Sequence, residues 1–103
     1  MRIVFISGPY RADTECKRHS NIKCAREAAI RWVKKGYYPF TPHLNTANFD
    51  NLAPDGLFLN GALTILQYCS ILYVLKGWRN SHGTMQEIKT AINLGIPIIY
   101  EEE

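Results

Sequence analysis

At 103 residues, 47% of them hydrophobic and 20% charged, the chain is long enough for one packed domain and too apolar for a disordered one. A net charge of +3 is too small to argue for nucleic acid, and the five basic residues from Lys17 to Arg31 share their stretch with Glu27 and read as a solvated helix face. No run approaches the roughly 18 apolar residues that span a membrane, and the apolar start before Gly8-Pro9 is too short for a signal segment, so a soluble cytoplasmic protein is expected. The three cysteines, Cys16, Cys24 and Cys69, have no CxxC spacing, which suits reduced packing thiols better than disulfides or zinc ligands.

Ile3-Val4-Phe5-Ile6, apolar and β-branched, predicts a central strand buried on both faces and stopped by Ser7-Gly8-Pro9. The turn that follows holds Gly8, which permits close backbone approach, Tyr10 with a flat ring, and Arg11 with a forked donor for phosphate or carboxylate. An ordinary strand exit with an exposed arginine explains the same residues. From Ser20 to Lys35 the set Ile22, Ala25, Ala29, Ile30, Trp32 and Val33 recurs at helical spacing, with Ser20 or Asn21 as cap and Gly36 as stop. Tyr37-Tyr38-Pro39-Phe40 reads as an edge strand, since Pro39 cannot donate to a central ladder.

Thr41 to Gly56 is the longest irregular segment, and such segments tend to carry function. It places His43 just beyond the second strand. Leu57 to Tyr68 predicts an amphipathic helix and Ser70 to Leu75 a central strand. Next comes the polar loop Gly77-Trp78-Arg79-Asn80-Ser81-His82, leading into a helix from Gly83 to Leu94 with a core stripe of Met85, Ile88, Ala91 and Ile92. Glu87 lies beside that stripe. Ile96 to Tyr100 forms a last strand, and Glu101 to Glu103 a solvated tail.

Strands alternating with helices, joined by right-handed crossovers, give a parallel sheet ordered 2-1-3-4 with helices on both faces. The order reverses between the first and third strands. The Gly8–Arg11 turn and the Gly77–Glu87 loop meet there, in the crevice where such sheets bind ligands. Gly83 and Thr84 sit at a helix N-terminus, a favourable place for an anion, while Glu87 is an acid close by.

With Gly8-Pro9-Tyr10-Arg11, Pro42-His43 and the Gly77-Trp78…Ser81…Gly83…Glu87 series in order, the chain resembles the nucleoside 2-deoxyribosyltransferase superfamily, in particular its short members of unassigned function. The likeness runs from Ile3 to Tyr100. It implies a flavodoxin-like three-layer sandwich on a four- to five-stranded parallel sheet, residues 1–103 forming one domain. It also implies a glutamate nucleophile at Glu87 that attacks the anomeric carbon of an N-glycoside and yields a covalent glycosyl-enzyme, resolved by a base or by water. Substrate contacts would come from Gly8, Tyr10, Arg11, His43, Trp78, Ser81, Gly83 and Thr84. Tyr10 and Trp78 would stack the base, and His43 would contact or protonate it.

The transferases' Asp-Gly-Arg-x-x-Asp-x-Gly-Thr-x-x-Glu pattern reads here from Lys76 to Glu87, with Lys76 and Ser81 in place of both aspartates. The Ser-x-Gly-x-x-x-Glu arrangement resembles the family's nucleoside 5′-monophosphate hydrolases. With Arg11, it shifts the expected substrate from a nucleoside towards a nucleotide. No cofactor or metal is expected, and the resemblance implies a homodimer or higher homo-oligomer. The alternative is a non-catalytic module of the same fold that senses or sequesters a nucleotide.

Overall fold

The computed structural model describes residues 1–49 and 51–101. The elements run β1 (Ile3–Ser7), α1 (Glu15–Lys34), β2 (Tyr38–Phe40), α2 (Pro42–Asn45), α3 (Asp55–Leu66), β3 (Ile71–Val74), a 3-10 turn (Trp78–Asn80), α4 (His82–Leu94) and β4 (Ile98–Tyr100). The four strands are ordered β2-β1-β3-β4, every pairing parallel. β2, with its Pro39, stands at one edge, as a strand lacking an amide donor must.

Side-chain alternation along the strands splits the core in two. Phe5, Leu72 and Val74 point to the side covered by α3 and α4, where Ala62, Leu66, Ile88 and Ala91 meet them. Val4, Ile6 and Leu75 point to the other side, against Ala25, Ala28, Ala29 and Trp32 of α1. A two-faced sheet between helices follows directly from that alternation.

Several boundaries differ from the sequence reading. α1 begins five residues earlier than Ser20, because the Thr14 side chain accepts a hydrogen bond from the Lys17 amide at 3.1 Å. Its first turns are polar, held by cap and ion pairs such as Arg18–Glu15, so hydrophobic periodicity does not register them. Ile30 and Val33 of the expected apolar set are exposed, and Ala28 takes their place in the core. The 41–56 segment is less irregular than expected, since α2 opens it; its Asp50 lies outside the described residues.

Ile88 and Ala91 of the expected stripe are buried on α4, but Thr84 and Glu87 complete the buried face while Met85 and Ile92 are exposed. Two of those four inward residues are polar, so a count of apolar residues misplaces the face. Cys69 packs in the core, whereas Cys16 and Cys24 are exposed on α1. Glu101 is no solvated tail: its carboxylate accepts from Arg31 at 2.8 Å and from the Lys76 amide at 3.1 Å. Glu102 and Glu103 lie outside the described residues. No helix is long and apolar enough to cross a membrane among the described residues.

Candidate functional site

The strand exits of β1 and β3 flank the point where the strand order reverses, and a cavity of about 630 Å³ opens there. That volume lies within the roughly 300–1,000 Å³ of small-molecule sites. Of the nine residues expected to form the site, Gly8, Tyr10, Arg11, His43, Ser81, Gly83, Thr84 and Glu87 line it. Trp78 does not. Its ring packs on Tyr100 at 5.5 Å between centroids and carries the Arg79 guanidinium over it at 4.6 Å, so it serves the β4 side of the fold. The apolar wall is supplied instead by residues not singled out from sequence, Phe49, Phe58 and Leu59. Phe58 and Leu59 belong to the amphipathic pattern of α3, where an inward apolar residue looks the same whether it meets core or cavity.

Two helices bring their N-termini to the cavity. Asp55 and Gly56 begin α3; His82, Gly83 and Thr84 begin α4. Ser81 caps α4, its hydroxyl accepting from the Thr84 amide at 3.2 Å. The first-turn N–H groups of His82 and Gly83 have no partner within the helix and suit an anionic or carbonyl group. Gly77, at φ 84°, supplies the left-handed turn that swings the chain from β3 into this approach.

Glu87 is the chemical centre of the cavity. It is 7% exposed, and burial pushes its pKa up to about 7 against the opposing pull of one hydrogen bond, donated by the Ser7 hydroxyl to Oε1. Glu87 lies in the second turn of α4, beyond the reach of the terminal dipole, and desolvation dominates. The folded protein holds this proton between about pH 4.5 and 7, where the unfolded chain has released it. Stability is therefore expected to fall as pH rises through that window. Urea midpoints at pH 5 and pH 8 read this, and Glu87→Gln should flatten the difference.

His43 is buried rather than a surface loop residue. Its Nε2–H donates to the Pro9 carbonyl at 2.8 Å, and its ring meets Tyr10 edge-on at 5.7 Å. Burial lowers its pKa, although the Pro9 and Gly8 backbones pull the other way. A neutral ring whose proton is held by a main-chain carbonyl is a brace between the exits of β1 and β2, not a ready acid. The Tyr10 hydroxyl accepts from the Asn48 amide at 2.9 Å, which ties Asn48 to the exit of β1.

Arg11 pairs with Asp55 across the mouth, both side chains exposed. Its charge is thus already matched. Lys76, which stands where the transferases keep an aspartate, is exposed outside the cavity lining. Gly8 is required by packing: a Cβ there would lie 2.7 Å from Leu75 Cβ and Cδ1.

The chain matches, over residues 2–101, the family described as a domain of unknown function, DUF7768, and it belongs to that family. No curated protein matches it. Among solved structures it is similar to the 2-deoxyribosyltransferase of the psychrotolerant bacterium Bacillus psychrosaccharolyticus, with a TM-score of 0.68 and 16% identity over 95% of this chain and 70% of that one. At that identity the likeness is one of fold.

Proposed function

We propose that this member of the DUF7768 family, built on the fold of a nucleoside deoxyribosyltransferase, cleaves the N-glycosidic bond of a nucleoside or its 5′-monophosphate. The observation that carries the reading is Glu87, a buried carboxyl on the wall of a nucleoside-sized cavity at the switch point of the sheet. In this reading a Glu87 oxygen forms a bond to the anomeric carbon as the carbon–nitrogen bond breaks, and the base leaves with a proton from solvent. Water or a second base then attacks the same carbon and frees the carboxylate. The base would lie against Tyr10, Phe49 and Phe58, with the sugar towards Glu87.

The electrostatics of the cavity support a neutral nucleoside at least as well as a monophosphate. A phosphate would have to take Arg11 from Asp55 and sit on the first-turn amides of α4. Incubation with a panel of ribo- and deoxyribonucleosides and their 5′-monophosphates, read by chromatography for free base, tests the proposal. No base released from any of them would sink it.

The raised pKa of Glu87 also favours a second reading, a binding module. A pKa pushed up to about 7 leaves part of the Glu87 population protonated near neutral pH, and the protonated acid is not a nucleophile. Ligand recovered intact from the protein after long incubation would select this reading.

A homodimer accompanies the first reading. Leu57 and Ile65 on α3, Tyr68 just beyond its end, and Met85 and Ile92 on α4 leave the outer side of one helix layer apolar and exposed. Sedimentation equilibrium is expected to give twice the chain mass, and a monomer at micromolar concentration would refute it.

A further inference from the structure

We propose that Ser7 is the positioning residue for Glu87, clamping one carboxylate oxygen so that the other is left to act in the cavity. This deepens the glycosidase reading and rests on it for the catalytic consequence. Ser7 ends β1, is 1% exposed, and donates its hydroxyl to Glu87 Oε1 from behind. It does not itself line the cavity, whereas Glu87 does. A serine shut away from the ligand cannot be the nucleophile, so whatever it does in catalysis passes through Glu87.

Its own position is fixed by β3. Ser7 is in register with Val74 of β3, and its carbonyl accepts from the Leu75 amide at 2.7 Å. The donor is thus built into the sheet, while Glu87 comes from the helix packed over it. A glutamate has three side-chain torsions to lose, and attack on carbon needs the oxygen held near its target. A hydrogen bond from a rigid strand to one oxygen removes that freedom and is strongest when the carboxyl is ionised. In a site where burial opposes ionisation, this hydrogen bond favours the reactive form.

Among the described residues, the remaining titratable groups of the cavity wall are Tyr10, His43 of α2, His82 of α4 and the exposed Arg11–Asp55 pair. Burial raises the pKa of Glu87 and the Ser7 hydrogen bond opposes that rise. Removing the Ser7 hydroxyl should therefore move the titration of Glu87 to higher pH.

The experiment compares Ser7→Ala and Ser7→Thr with the parent protein. The Glu87 carboxyl is titrated by carbon NMR on protein labelled at the glutamate side-chain carboxyl, its signal identified by its loss in Glu87→Gln. The expected result is an upward move of the midpoint in Ser7→Ala and its return in Ser7→Thr. With turnover of the preferred nucleoside, kcat of Ser7→Ala is expected to fall about tenfold at pH 7 with KM nearly unchanged, and to recover at higher pH.

An unmoved midpoint, or a loss of kcat that the threonine does not restore, overturns the proposal. Should Ser7→Ala not fold, Ser7→Cys keeps the shape with a weaker donor and must show the same upward move. The titration needs no substrate, so a failed clamp and a failed glycosidase reading are told apart.

Discussion

Glu87→Gln is expected to lose at least about a thousandfold of kcat for base release while still binding the ligand. Glutamine keeps the shape and can still accept the Ser7 hydrogen bond at its carbonyl oxygen, so the cavity should survive. What it lacks is the negative oxygen that forms the bond to carbon. Mass spectrometry of the parent protein quenched during turnover is expected to find a sugar adduct on the peptide containing Glu87, absent from the variant. Turnover unchanged in purified Glu87→Gln would leave no role for the carboxylate, and the cavity would then have to be read by its walls alone.

Gly8→Ala is expected to destabilise the fold by about 1–3 kcal/mol, lowering the melting temperature by about 5–15 °C. The added Cβ would meet Leu75 at 2.7 Å, and neither partner can step aside easily. Leu75 is buried in the α1 layer, and its amide is already bonded to the Ser7 carbonyl at 2.7 Å. The strand exit would have to shift, carrying Ser7 with it and loosening its hold on Glu87. A thermal melt checks the stability, and an unchanged melting temperature would mean that the exit has slack.

The architecture was legible because it rests on period and punctuation. Apolar runs bounded by Gly8, Gly36 and Gly95 mark strands and helices, and right-handed crossovers leave few ways to order four parallel strands. The site was legible in outline for the same reason, since strand exits at the switch point are where side chains converge on a ligand. What escaped was polar and interior. Ser7 reads as the end of a strand, and nothing in the sequence shows that its hydroxyl meets a carboxyl 80 positions later. Thr84 and Glu87 face inward on α4, which an apolar count cannot see. Trp78 misled in the opposite sense: an aromatic residue in the right loop turns away onto Tyr100, a distinction set by the left-handed turn at Gly77.

All three strand pairings being parallel has a consequence for the order in which the molecule comes together. Each pairing joins segments separated by a full crossover, so none can form by a local hairpin. The entropy of closing those loops must be met before the contacts return anything. The bond between Ser7 and Glu87 closes one of the longest loops in the chain, and it needs both β1 seated beside β3 and α4 laid over them. The cavity is thus assembled by long-range closure and has no local nucleus of its own. The side chains that would do the chemistry meet only when the sheet itself is whole.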